Sequence, residues 1–401
     1  MTEATDKTFA RADIMRFVKA NIRDYALLLS LLAIMVFFQF TTKGTLFMPV
    51  NMTNILLQNS YIVIMALGML LIIVAGHIDL SVGSVSGFVG AVAAVMMVPW
   101  KIDPFLTMLA CLALGAVIGG IQGYFVAYYR IPAFIVTLAG MLIFKGLALT
   151  VLGGASVGPF PREFQLLSSG YVPDIFNVTL LGGPFNVLAV LLGGAVTALI
   201  IYFNIKERRD QQAHGLADEP DVIFLGRNIL IAAAFLTFSV LMARYKGLPN
   251  VLIVMFALIA LFVFLTTRTT FGRRVYAMGG NYKAAQLSGV NTERITFFIF
   301  VIMGALAALA GLIFAARLNV ATPKAGLGFE LDVIAACFIG GAAVTGGVGK
   351  VIGAVIGAFL MGVMNNGMSI MGVGIDWQQV IKGGVLLLAV FLDVYYKNKA
   401  A

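Results

Sequence analysis

The side chains able to do chemistry are few and scattered in this sequence. Its two histidines, His77 and His214, lie far apart, and its two cysteines, Cys111 and Cys337, each sit in an apolar run. No Gly-rich phosphate loop, no H-E-x-x-H and no Cys/His cluster with metal-ligand spacing is present. Catalytic residues, a metal and a cofactor are therefore not expected. The most informative polar stretch is Gly76-His77-Ile78-Asp79-Leu80-Ser81-Val82-Gly83-Ser84. Asp79 and Ser81 are expected to cap a helix opening near Val82, because their oxygens can accept from its free N–H groups. The same residues fit a broken helix lining a polar pathway, since ionisable groups beside apolar segments need water or a partner. Amides also interrupt apolar runs, at Gln58, Asn59, Gln122, Asn365, Asn366, Gln378 and Gln379. Uncharged amides suit a neutral polyhydroxyl solute better than an ion. Bonds between helices, at about 0.6–2 kcal/mol each, are the plainer reading of any single one. Gln58, Asn59, Asp79, Ser81, Asn365 and Asn366 are the candidate pathway contacts. Asp376 and Lys382 open the last apolar segment, where an ion pair or a snorkelling lysine is expected.

The elements that must hold these groups follow from composition. The chain has 401 residues, 61% hydrophobic and only 11% charged, with a mean hydropathy of +0.99. Soluble domains carry about 25% charge, so a soluble enzyme is excluded, as are a disordered chain and a disulfide scaffold. What remains is an all-α polytopic bundle. Apolar segments fall at 25–40, 56–75, 83–98, 105–129, 133–151, 186–204, 229–243, 251–267, 295–316, 333–346, 351–371 and 379–393, or about ten to twelve spans. No polar stretch is long enough for a soluble domain, so residues 1–401 read as one transmembrane domain. The 44 glycines suit close helix packing in lipid. The net charge of +9 is distributed as the positive-inside rule requires rather than as a nucleic-acid surface. With residues 1–24 placed in the cytoplasm, 18 Lys and Arg fall inside and 7 outside, while Lys145 and Lys382 lie within spans. Both termini are then expected inside.

Two segments expected on the cytoplasmic side stand out. Residues 206–228 carry both signs of charge. Residues 268–294 are more structured: Asn281 is a plausible N-cap and Gly289 a left-handed stop, with a helix of about 10 Å over 282–288. So short a helix is marginal alone and must pack on something. The pattern V-G-x-V-x-G occurs at 82–87 and again at 348–353, an echo that fits either a repeated half or chance.

Four stretches now resemble a known family, the permease subunits of bacterial monosaccharide ABC importers of the ribose, galactose and xylose type. They are Ile78-Asp79-Leu80-Ser81-Val82-Gly83-Ser84; Ile131-Pro132-Ala133-Phe134-Ile135-Val136-Thr137-Leu138; Gly279-Gly280-Asn281, continuing through Ala284-Ala285 to Ser288-Gly289; and Ile339-Gly340-Gly341 with Gly346-Gly347-Val348-Gly349. The added segment 186–243 is similar to the xylose and multiple-sugar permeases. The resemblance implies an ABC importer permease fold in the bacterial inner membrane. It also implies two permease copies around one path, a periplasmic sugar-binding protein, and a separate ATPase that supplies the hydrolysis this chain lacks. Loop 268–294 would receive that ATPase, through Arg273, Arg274, Gly279, Gly280, Asn281, Lys283, Ala284, Ala285, Ser288 and Gly289. Membrane lipid is the surrounding partner, and no nucleic acid is expected. Two rival readings are an ion-coupled secondary carrier, which would need mid-span carboxylates, and a membrane-embedded enzyme, which would need a catalytic constellation.

Overall fold

In lipid, a backbone satisfies its own polar groups by forming helices or closed barrels, and runs this apolar form helices. The computed structural model describes residues 22–176, 178–180, 183–214 and 220–400. In chain order the elements are α1 (Ile22–Thr41), α2 (Pro49–Val74), α3 (Val82–Met97), α4 (Pro104–Ala127), α5 (Ala133–Leu152), α6 (Arg162–Gln165), β1 (Val178–Leu180), β2 (Gly183–Phe185), α7 (Val187–Ala213), α8 (Asp221–Ala243), α9 (Asn250–Arg268), α10 (Thr270–Gly280), α11 (Tyr282–Leu287), α12 (Thr292–Leu318), α13 (Phe329–Ile339), α14 (Val351–Ile370) and α15 (Ile375–Ala400). Each of the twelve expected apolar segments contains a helix. Among the described residues eight helices are long and apolar enough to cross a bilayer: α2, α4, α5, α7, α8, α9, α12 and α14. Shorter apolar helical stretches lie at Leu27–Thr41 and Val82–Met97. The bundle is thus all-α and polytopic, with one small antiparallel ladder, β1–β2. The expected N-terminal segment 1–24 lies outside the described residues as far as residue 21.

The structure decides three readings that the sequence left open. The span over 333–346 is a half-helix, because α13 stops at Ile339 and residues 340–350 are irregular, with Gly341, Gly346 and Gly347 at positive φ. Residues 206–228, ambiguous in sequence, fall mostly within helices, as α7 runs to Ala213 and α8 starts at Asp221. Charge contacts between the two ends support this: Arg208 pairs with Asp221 and stacks 4.3 Å from the Phe224 ring centroid. Finally, the V-G-x-V-x-G echo is not structurally equivalent, since Val82 begins α3 whereas 348–350 precede α14.

Two compact units divide the chain. One holds Phe47–Thr53, Tyr171–Leu248 and the described residues up to Leu29. Its framework is the antiparallel pair α7–α8, where a side chain at Gly193 would meet Ser239, and Asn204 Nδ2 donates to Asn228 Oδ1 at 2.9 Å. The other unit holds Ser30–Leu46, Asn54–Gly170 and Pro249–Ala401. Its central helix is α2, whose side chains from Ile62 to Val74 are almost wholly buried. Around it, backbones approach closely: α4 meets α12 through Gly115, Gly119 and Gly304, and α13 meets α14 through Gly340 and Gly353. Without a hydrophobic drive between helices in lipid, such dispersion contacts supply the cohesion.

Candidate translocation pathway and docking loop

Every candidate residue lies in the second unit. The structure sorts the pathway candidates into three networks. In the first, Asn59 on α2 is 3% exposed, and its Nδ2 donates to the Ala358 carbonyl on α14 at 2.6 Å. Half-buried Gln58 is its neighbour. Asn59 therefore joins two helices, as the interhelical reading required.

The second network occupies the irregular segment between α2 and α3. Asp79 Oδ1 accepts from the Ser81 N–H at 2.8 Å and from the Ser81 hydroxyl at 2.7 Å. That hydroxyl proton is now committed, so Ser81 Oγ accepts from Gln122 Nε2 on α4, 3.0 Å away. Both Asp79 and Ser81 are buried. The expectation that they cap α3 is corrected here: Ser81 occupies the N-cap position but its side chain makes no cap bond. The carboxylate turns back on Ser81 because Ser81's N–H and hydroxyl converge on one oxygen.

The third network escaped the sequence reading. Lys382 on α15 donates to both oxygens of Asp332 on α13, at 2.9 and 3.1 Å. Asn365 Nδ2 on α14 approaches the same carboxylate at 3.4 Å, while its buried Oδ1 has no hydrogen-bond partner. Asn366, one residue on, is 7% exposed. The ion pair expected between Lys382 and Asp376 is thus formed with Asp332 instead. The available signal was a carboxylate just before one apolar segment and a lysine within another, because charges in a low dielectric need partners. Asp79 and Asp332 are the carboxylates of these networks, and each is already engaged.

Loop 268–294 is built from two short helices. Thr269 caps α10, its hydroxyl accepting from the Gly272 N–H at 3.1 Å. α10 is amphipathic: Val275 and Met278 are buried, Arg273 and Arg274 exposed. Asn281 caps α11, its Oδ1 accepting from the Ala284 N–H at 3.0 Å. Gly289, at φ +81°, turns the chain out as anticipated. Lys283, Ala284 and Ser288 are exposed, whereas Ala285 is only 6% exposed. Ala285 therefore anchors α11 to its own chain rather than presenting a surface, which corrects its place among the presented residues. Leu287, 90% exposed, is an apolar side chain not singled out from sequence. At the other end of α10, Gly279 lies so close to the Val74 carbonyl that a Cβ would overlap it. The Gly347 N–H donates to that carbonyl at 2.8 Å. Tyr276 Oη donates to the Gly349 carbonyl at 2.6 Å. Burial pushes the Tyr276 phenol above its ordinary pKa, so it remains a neutral donor.

Nothing in these networks forms a reacting centre. With eight helices among the described residues long and apolar enough to cross a bilayer, the fold is that of a polytopic membrane protein. The chain belongs to the family described as branched-chain amino acid transport system / permease component, which it matches over residues 51–390. It is 39% identical over 391 residues to the xylose transport system permease protein XylH of Haemophilus influenzae, covering 96% of this chain and 100% of that one. Its identity to XylH of Escherichia coli strain K12 is 38% over 382 residues, 95% and 94% of the two chains. To the ribose import permease protein RbsC of the same strain it is 33% over 377 residues, 94% and 95%. No solved structure matches the chain.

Proposed function

We propose that this chain is the pathway-forming subunit of an ATP-driven importer of a monosaccharide, xylose or a related sugar. The observation that carries this is the likeness to two xylose permeases along essentially the whole chain. In this reading the chain acts as a single permease domain over 1–401 in a bacterial inner membrane, with lipid around it and both termini and residues 1–24 in the cytoplasm. A second copy completes the path as a homodimer, and a periplasmic sugar-binding protein delivers the solute. A separate ATPase binds loop 268–294 through Arg273, Arg274, Gly280, Asn281, Lys283, Ala284, Ser288 and Gly289, with Leu287 at the centre of the contact, while Gly279 packs against Val74 within the chain. The exposed, capped α11 supports this, because a small rigid helix seated in a groove converts closure of the ATPase into movement of attached helices. Gln58, Asn59, Asp79, Ser81, Asn365 and Asn366 line or brace the path.

The test is xylose uptake into proteoliposomes holding this chain, its ATPase and its binding protein. ATP-dependent uptake is expected, and Ala284→Glu is expected to uncouple hydrolysis from it. Uptake by the chain alone, driven by an ion gradient and indifferent to ATP, would instead establish a secondary carrier.

A further inference from the structure

We propose that Tyr276, with the glycine joint beside it, is the positioning residue that carries movement of the docking loop into α14. The proposal rests on the docking reading above. From α10, Tyr276 reaches the irregular segment 340–350 and holds the Gly349 carbonyl, two residues before α14 begins at Val351. Beside it three backbones meet without intervening side chains. Gly279 abuts the Val74 carbonyl at the end of α2, Gly347 donates to that carbonyl, and a Cβ at Gly347 would lie 2.7 Å from Gly280 Cα. Backbone packed on backbone has little compliance, so a displacement of α10 passes on rather than being absorbed.

What lies beyond the joint gives that displacement a destination. α14 is a continuous helix, and from Val351 to Asn365 it rises about 21 Å. It is locked to α13, where a Cβ at Gly353 or Gly357 would overlap the carbonyls of Gly340 and Ala336. The pair therefore moves as one body, and that body bears Asp332, Asn365 and Asn366. Other attachments of α10 lead elsewhere: Thr269 ties it to the end of α9, and Met278 meets the Thr296 hydroxyl on α12. Tyr276 is the side chain that ties α10 to the half-helix and the polar residues of the third network.

Tyr276→Phe removes the hydroxyl and keeps the ring. In proteoliposomes with the ATPase and the binding protein, ATP hydrolysis is expected to stay within about twofold while xylose imported per ATP falls roughly fivefold, the worth of one net hydrogen bond. The thermal midpoint should fall by only about 1 °C, the cost of one net hydrogen bond in a chain of this length, and crosslinking of Gln286→Cys to the ATPase should be unchanged. An unaltered xylose-to-ATP ratio would overturn the proposal, as would parallel losses of crosslinking, thermal midpoint and hydrolysis, which mark a merely structural bond. Gly279→Ala should uncouple in the same direction; if it fails to fold, Tyr276→Phe still decides. Active uptake without any crosslink from Gln286→Cys in an otherwise unaltered chain would overturn the docking reading and this proposal with it.

Discussion

Replacing Lys382 by Met would strand Asp332 inside the bundle. The two side chains are only 23% and 13% exposed, and the ammonium sits 2.9 and 3.1 Å from the carboxylate oxygens. At 3 Å and an effective dielectric near 20 their attraction is about 5 kcal/mol. Both were dehydrated to make it, so the pair adds little net stability, but removing one partner typically costs about 3–5 kcal/mol. Asn365 still approaches the carboxylate, which argues for the lower end, about 3 kcal/mol. With an unfolding entropy of about 2.1 cal/mol/K per residue over 401 residues, that corresponds to a fall of roughly 4 °C in the melting temperature. Asp332→Leu should cost less, because a stranded lysine can snorkel whereas a short carboxylate cannot. The double variant Lys382→Met/Asp332→Leu should recover at least half of the loss. Melting of the detergent-purified protein, followed by tryptophan fluorescence or light scattering, reads all three. Single variants within about 1 °C of the parent, or a double variant losing the sum of both, would refute the argument that the two charges compensate each other.

Other substitutions probe the remaining contacts. Gly304→Leu should abolish accumulation of monodisperse protein on size-exclusion chromatography, because a side chain there overlaps the Gly115 carbonyl at the α4–α12 crossing; a normal elution profile would contradict that crossing. Asn281→Ala removes the α11 cap and should cost about 1 kcal/mol in a helix of six residues. Weaker binding of the ATPase is expected, and Asn281→Asp should preserve it. Leu287→Glu should reduce co-purification of the ATPase without changing the melting temperature, since Leu287 is almost wholly exposed; undiminished co-purification would remove Leu287 from the interface. Asn59→Ala breaks the bond to Ala358 and should lower stability by about 0.6–2 kcal/mol; an unchanged melting temperature would show that bond to be idle.

Much of this protein was legible before any coordinates, for reasons that can be named. Lipid demands helices of spanning length, so apolar runs such as 56–75 and 295–316 declare themselves. Local chemistry was readable too: Asn281 accepts from the amide three residues on, and Gly289 takes the left-handed turn, because both depend on neighbours in the chain. What composition and spacing could not decide was whatever depends on distant partners. Lys382 meets Asp332 rather than nearby Asp376; Asp79 turns to Ser81 and leaves α3 uncapped; Ala285 faces inward while Leu287 faces out. The segment 333–346 was short enough in sequence to be a broken span, but where it breaks shows only when the backbone of 340–350 is seen against Val74 and Gly279. A sequence lists which charges, amides and glycines need company; which of them meet is settled by helices from remote positions packing side by side, since Coulomb attraction and backbone contact act over a few ångströms of space rather than along the chain.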